Sequence, residues 1–344
     1  MPQMPASGQG AGIKQVDQIR VGLIGAGALG AVHAANLASV PGCRFTAVAS
    51  ADVTPTAAAA VAAARADTVE VGAMFDPGYL DAVIVATPTD SHAEYVRRAV
   101  SAGLSVFCEK PLARTPDEAD DIRDLAERRG VKVAVGHVVR YFPEYAAARD
   151  LVHGGGLGTG VIARLARLNR GPGDLSAWYT EQRRSGGVLL DMAVHDVDWC
   201  LWAFGPARRV YAVHAGDGGG QVASVTIRHA GGAISYIDSS WREDGFSTRL
   251  EISGTEGLYT VEGSGSAGFE PTRAASSSYL PPGAQAPSIQ DPYALELRAA
   301  IAWFRGGPPP LATVAEACEA VRVVAAAQTS VDTGRPVTLI GAAA

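Results

Sequence analysis

Ile19-Arg20-Val21-Gly22-Leu23-Ile24-Gly25-Ala26-Gly27-Ala28-Leu29-Gly30 is the stretch that decides the fold. Its first six residues read as a strand buried on both faces, because apolar residues run through it without strict polar alternation. Three glycines follow at G-x-G-x-x-G spacing, and a helical stretch over 29–39 begins at once. A strand, a tight turn and a helix N-terminus together make an anion cradle. Backbone N–H groups point outward, the helix dipole favours negative charge, and glycine lets a pyrophosphate come close. Gly25, Ala26, Gly27, Ala28, Leu29 and Gly30 are therefore candidate cofactor-binding positions. Outside a strand–turn–helix context the same spacing is only a tight turn.

The alternation continues outward from this unit. Apolar runs at 45–49, 82–86, 104–108 and 131–135 alternate with helical stretches at 54–65, 91–102 and 116–129. This predicts an α/β domain with a parallel sheet, a Rossmann-type dinucleotide-binding domain over 19–140. After about residue 145 the pattern changes. Segments 161–169, 208–215, 221–229, 233–241, 247–253 and 257–262 alternate apolar and polar residues without helix-sized gaps. A second α/β domain over 141–344 is expected, with a mostly antiparallel open sheet for substrate binding and oligomerisation. Helices are expected at 293–304 and 312–330, and one sheet face needs cover from helices or a partner subunit. Residues 263–290, rich in Gly, Ser and Pro, read as a long loop. Residues 1–18 read as a flexible polar lead.

Bulk properties remove several classes. The 344 residues suffice for two domains. A net charge of −6 without a Lys/Arg block offers no nucleic-acid surface. No apolar run reaches the roughly 18 residues that a membrane span suggests, and the N-terminus lacks the pattern of a secretory signal. Cys43, Cys108, Cys200 and Cys318 lie far apart, which argues against a disulfide framework or zinc site and fits a cytoplasmic protein.

The ends of the predicted parallel strands carry chemistry. About 20 residues past the glycine turn a dinucleotide site usually shows an acid at the end of the second strand. Ser50 stands there, with Asp52 two residues on, so NAD and NADP both remain open as cofactor. Thr87-Pro88, Glu109-Lys110-Pro111 and Gly136-His137 close the next three strands, and His92 opens the following helix. These positions lie on the rim where such sheets bind ligands. A Lys before Pro is held extended, and the bond between them is a candidate for cis. Glu109 also offers Lys110 a plain surface ion pair, and His92 reads equally as a helix N-terminal residue.

A second constellation lies in Gly186-Gly187-Val188-Leu189-Leu190-Asp191-Met192-Ala193-Val194-His195-Asp196-Val197-Asp198. Read as a helix, it places Asp191, His195 and Asp198 on one face. The carboxylates beside a histidine are the usual means of setting its tautomer and basicity. A hydrogen-bonded core histidine is the plainer reading. Asp191, His195 and Asp198 with His137 would also suit a divalent metal, but nothing in the glycine turn requires one.

GAGALG, the run ATPTDSHAEYVRRAVSAGLSVFCEKPLA (86–113) and SGGVLLDMAVHDVDW (185–199) resemble the hallmark regions of one family. It is the glucose–fructose oxidoreductase / inositol dehydrogenase / rhizopine-catabolism (Gfo/Idh/MocA) family. Order and spacing agree from residue 19 onward. The resemblance implies hydride transfer between NAD(P) and a secondary hydroxyl of a sugar or cyclitol. It also implies a homodimer or homotetramer joined through the open sheet of the second domain. On the matching positions it places Gly25, Gly27, Gly30, Thr87, Pro88 and Glu109 toward cofactor, and Lys110, Asp191 and His195 at the catalytic centre. Asp198 matches a polar position that can contact substrate, and Arg140 a basic residue often found just after the fifth strand. With Lys110, Trp178, Asp191 and His195 they are the candidate substrate contacts, while His92 and Lys110 join the cofactor set by their place on the rim. Ser50 departs from the pattern, since many NAD-using members carry Asp there, and 263–290 has no counterpart.

Oxidising an alcohol requires a base near working pH, and histidine at about 6.5 fits better than lysine at about 10.4. The expectation is His195 as base, Lys110 as charged donor to the developing alkoxide, and Asp191 holding both. Trp178 and Tyr179 offer flat faces to a sugar-like ring, while Arg140, Tyr141 and Arg183 offer donors. Asp174, Glu181 and Asp196 would suit an aminated sugar or aminocyclitol. Two rivals share the fold: a non-catalytic nucleotide-sensing regulator and an NAD-dependent glycosidase. Having Lys110, Asp191 and His195 together favours catalysis over the regulator.

Overall fold

The computed structural model describes residues 18–171, 177–265 and 291–339. Residues 1–17 of the expected 1–18 lead, most of the 263–290 stretch and Asp174 lie outside the described residues. The first domain alternates strands and helices as the apolar runs predict. They are β1 (Ile19–Ala26), α1 (Ala28–Leu37), β2 (Cys43–Val53), α2 (Pro55–Ala64), β3 (Asp67–Thr68), β4 (Ala82–Val85), α3 (His92–Ser101), β5 (Ser105–Glu109), α4 (Pro116–Arg129) and β6 (Val133–Gly136). The sheet order is β3-β2-β1-β4-β5-β6, with every described pairing parallel. The chain reverses direction across the sheet between β1 and β4, so a crevice opens at their carboxyl ends. The two-residue edge strand β3 and the single-turn helix Val71–Phe75 escape the sequence pattern, being too short to show a period.

Local chemistry sets the helix limits. Thr115 and Glu118 form a reciprocal capping box at the start of α4, Pro116 occupies its first turn, and Gly130 closes it in the left-handed region.

The second domain contains α5 (Pro143–His153), β7 (Ile162–Arg170), the short α6 (Gln182–Ser185), a π-helical turn (Leu189–Ala193), α7 (Val194–Phe204), β8 (Ala207–Ala215), β9 (Val222–His229), β10 (Ile234–Ser240), β11 (Arg242–Ser253) and β12 (Leu258–Gly265). After them come α8 (Pro292–Phe304), α9 (Val314–Thr333) and β13 (Val337–Thr338). The sheet order is β12-β11-β7-β10-β9-β8-β13. All its neighbours are antiparallel except β7 and β10. Trp199 and Val197 of α7 and Val323 and Val324 of α9 share one core with Val210, Val225 and Ile237 of the sheet. On the other side Tyr211, Val213 and Tyr236 stay exposed.

The expected boundary at 140/141 needs one correction. Leu297, Ala300 and Ile301 of α8 pack with Val21, Leu23 and Phe107 of the first sheet, and Ala317, Cys318 and Val321 of α9 join its other face. The chain therefore returns to the first domain after building the second. Helices covering a parallel sheet can come from anywhere in the chain, because burying the apolar face is what matters.

Candidate active site

The glycine turn has the geometry expected of an anion cradle. Gly25 has φ +92°, and a Cβ on it would press on the Ala86 carbonyl at 2.6 Å. A Cβ on Gly30 would run into the Gly25 carbonyl, whereas one on Gly27 would meet nothing within 4 Å. The first and third glycines thus serve packing, and the second leaves an open cradle. Gly27 also starts α1 without a side-chain cap, and no acid lies in the first turn. Helices α2, α4, α8 and α9 are capped by Thr54, Thr115, Asp291 and Thr313. Helices α3, α5, α6 and α7 also lack a side-chain cap, but at α1 the free N–H groups lie directly behind the glycine turn, which fits a dinucleotide pyrophosphate.

Ser50 is engaged by the turn itself. Its hydroxyl accepts the Ala26 N–H at 2.9 Å and donates to the Asp52 carbonyl, while Asp52 is exposed at the end of β2. Next along the rim, the Lys110–Pro111 bond is cis. Thr87 follows β4, and its hydroxyl accepts from Ser91 at 2.8 Å.

Lys110 leaves the end of β5 and reaches the second domain. Its Nζ donates to the Asp191 carbonyl at 2.6 Å and to Asp191 Oδ1 at 3.2 Å. Asp191 sits in the π-helical turn. Gly186 and Gly187 ahead of it have φ of +83° and +66°, which an L side chain rarely adopts. Ser185 Oγ accepts from Gly187 N–H and Gln221 Oε1 from Val188 N–H, both at 3.0 Å, so the helix entry is tied to α6 and to the start of β9.

His195 lies one turn on, half-buried, with Nδ1 buried and without a hydrogen-bond partner. Burial pushes its pKa well below the usual histidine value, and the Lys110, Arg167 and His137 charges push the same way. The ring is therefore neutral over the ordinary working range and able to accept a proton. Tyr179 borders the same place: burial raises its phenol pKa, and the Asp191 and Glu109 charges add to this. Trp178 stacks on Tyr179 with ring centroids 3.9 Å apart.

Several expected contacts go elsewhere. Arg140 and Asp198, both 1 % exposed, form a two-pronged pair at 2.8 and 2.7 Å, and Arg140 Nη1 also binds the Leu311 carbonyl and Glu316. Neither has the exposure a substrate contact needs, so this pair locks the two domains instead. His137, equally buried, lies 3.5 Å from Asp198 Oδ2. Asp196 is bound by Arg167 at 3.0 and 2.8 Å, which removes it as an amine partner. His92 is buried between the Thr87 and Pro111 carbonyls at 2.9 and 2.7 Å and splints two rim loops rather than meeting cofactor. The Glu109 side chain turns beneath the rim, toward His33 and the Lys110 backbone N–H.

The rival metal set is also dispersed: Asp191 pairs with Lys110 while Asp198 pairs with Arg140. Among the described residues, the His and carboxylate donors that converge within 4.8 Å belong to His33, Glu109 and Glu296. Sequence reasoning missed that cluster and Arg167. A histidine three residues past the last glycine was the only available sign of it.

A parallel sheet with an uncapped dinucleotide cradle and a rim lysine that meets an Asp and a neighbouring His of a second domain define a two-domain nicotinamide-dependent oxidoreductase. Residues 19–137 match the family described as "Oxidoreductase family, NAD-binding Rossmann fold", and 145–260 match the "GFO/IDH/MocA C-terminal domain". The chain is 32 % identical over 255 residues to inositol 2-dehydrogenase of Rhizobium meliloti (strain 1021), covering 71 % of this chain and 76 % of that protein. It is 29 % identical to scyllo-inositol 2-dehydrogenase (NAD(+)) of Bacillus subtilis (strain 168), covering 94 % and 96 %. Among solved structures it resembles GenD2 from gentamicin A biosynthesis in complex with NAD, with TM-score 0.80, 25 % identity, and 99 % and 100 % of the two chains covered. The chain belongs to the Gfo/Idh/MocA family of NAD-binding oxidoreductases. No helix among the described residues is long and apolar enough to cross a membrane.

Proposed function

We propose that this enzyme oxidises a secondary hydroxyl of a sugar or cyclitol, with His195 as the base. Lys110 is the donor to the developing alkoxide, and Asp191 is the residue that steadies Lys110. The observation that carries the reading is the Asp191-paired lysine at the rim near an imidazole whose buried Nδ1 has no hydrogen-bond partner. Bound nicotinamide would accept the hydride. The chain's own residues orient the hydroxyl, take its proton at His195 and stabilise the oxygen through Lys110 Nζ. Tyr179 and the stacked Trp178 wall the ring-binding side. NAD is favoured over NADP, because Asp52 adds negative charge at the strand end where the adenosine ribose is read in such sheets.

Several relatives are inositol dehydrogenases, which supports a cyclitol. The likeness to GenD2 supports an aminated sugar as a second class, although the buried Asp196 no longer contributes to it. A panel of cyclitols, sugars and aminoglycoside intermediates, assayed with NAD⁺ and NADP⁺ for reduced nicotinamide, tests class and cofactor together. Turnover of myo-inositol with no amino sugar accepted excludes the aminated class. Binding of NADH with no turnover across the panel favours the regulatory reading. Release of free sugar without net reduction favours glycoside cleavage. The open sheet face with Tyr211, Val213 and Tyr236 suits a second copy of the chain, and sedimentation should return a dimer or tetramer.

A further inference from the structure

Beneath the rim lies a polar cluster that the catalytic reading leaves unused. Glu109 Oε1 accepts from His33 Nε2, and Glu109 Oε2 accepts the Lys110 backbone N–H at 3.2 Å. The carboxylate partner makes Nε2 the hydrogen-bearing nitrogen of His33. His33 itself is fully buried on α1, just past Gly30, with its ring edge-on to Phe107 and Tyr293 at 5.3 and 6.4 Å. Glu296 of α8 closes the cluster, and neither of its oxygens has a hydrogen-bond partner. Burial and the Glu109 and Asp291 charges raise its pKa well above the carboxylate range, so Glu296 stays uncharged there. One continuous line of contacts thus runs from the helix behind the glycine turn, through His33 and Glu109, to Lys110 and Asp191.

We propose that His33 is a positioning residue. By holding Glu109 it holds the backbone from which Lys110 reaches Asp191, and it ties that backbone to the helix whose N-terminus receives the dinucleotide. The inference rests on the catalytic reading of Lys110. It goes beyond that reading by assigning the lysine's placement to a residue that meets neither substrate nor cofactor. Removing the His33 donor leaves a buried carboxylate oxygen unsatisfied, and Glu109 must then rotate or draw in water. Either response releases the Lys110 amide. A glutamine places an N–H close to where Nε2 stood, so it should restore the contact.

The test compares His33→Leu and His33→Gln with the wild type in the full-length protein. Two readouts are taken: acylation of Lys110 by an amine-directed ester, followed by peptide mass spectrometry, and NADH binding by nicotinamide fluorescence. Lys110 in His33→Leu should be acylated severalfold faster, NADH should protect it less, and His33→Gln should lie near wild type. On the best substrate of the panel, kcat of His33→Leu should fall about 10- to 100-fold, the scale of a misplaced catalytic group, with KM little changed. Wild-type acylation in His33→Leu overturns the proposal, as does an equal rise in both variants. Should His33→Leu not fold, Glu109→Gln is read the same way, since an amide cannot accept at both ends. Unchanged turnover in Lys110→Ala sinks the catalytic reading itself. A dead Lys110→Ala beside a normally labelled His33→Leu sinks only the positioning role.

Discussion

Lys110 and Asp191 meet across the domain junction through two contacts: Nζ binds the Asp191 backbone carbonyl at 2.6 Å and its carboxylate at 3.2 Å. The side chains are 12 % and 17 % exposed, so the pair is shielded yet still reachable from the cleft. The backbone contact means that Lys110 keeps one partner even when the Asp191 charge is removed. Lys110→Ala should lower kcat by about 10²–10³-fold, as loss of an oxyanion donor does. Asp191→Asn should cost less, and NADH affinity should survive both changes. Steady-state kinetics with fluorescence titration check this; a near-normal kcat for Lys110→Ala contradicts it.

The pH profile follows from the direction of the His195 shift. Its pKa lies well below the ordinary 6.5, so the proposed base is unprotonated at neutral pH and should lose function only as pH falls through that lowered value. The acid limb of kcat/KM for alcohol oxidation should therefore break below pH 6.5, and His195→Ala should abolish the limb along with most turnover. A break at or above neutrality would remove His195 as the titrating base of the free enzyme.

Stability should also depend on pH. Burial lowers the pKa of His92, His137, His195 and His229. Below about 6.5 the unfolded chain binds more protons at these sites than the folded one, so stability is fully present above that pH and falls below it. Glu296, with its raised pKa, works the other way, and its cost grows as pH rises above the unfolded value of 4.5. Four groups against one set the sign: Tm should drop between pH 7.5 and about 5.5. Glu296→Gln should raise Tm at pH 8 by a few degrees, on the order of 1 kcal/mol, and lose that gain toward pH 5. Differential scanning calorimetry checks both.

Arg140 and Asp198 should behave as a structural pair. Asp198→Asn leaves the buried guanidinium with the half-exposed Glu316 as its remaining charged partner and should destabilise the fold by up to about 3–5 kcal/mol. In the surviving folded enzyme, KM should move less than stability does. A large KM change with an unchanged denaturation midpoint would return Asp198 to the substrate.

Gly30→Ala should abolish NADH binding, because the new methyl collides with the Gly25 carbonyl. Gly27→Ala meets no protein atom within 4 Å, so the fold should tolerate it and the loss should appear in dinucleotide affinity alone. Thermal melts beside NADH titrations separate the two.

Most of the first domain was legible in the sequence, since strands buried on both faces read as continuous apolar runs separated by helix-length stretches. Lys110 was legible as a residue on the ligand rim, and Asp191 and His195 as neighbours on one face of a helix. Their neighbours were not. Asp196 and Asp198, two residues apart on α7, point to opposite sides of the helix, and each finds a buried arginine. Spacing places residues on a face but does not say what stands opposite. The π-helical turn, the inward-turned Ser50 hydroxyl and the Glu109 side chain are equally silent in one dimension.

The sequence by itself determined the two-domain plan, the anion cradle and the set of groups able to do proton and hydride chemistry, because these depend on local periodicity, backbone freedom and side-chain type. Only the tertiary structure decided which charges are spent on each other and which remain for a ligand. A carboxylate becomes structural or catalytic according to the partner that packing brings within hydrogen-bond reach. That partner here stands 58 residues away for Asp198 and 81 for Asp191.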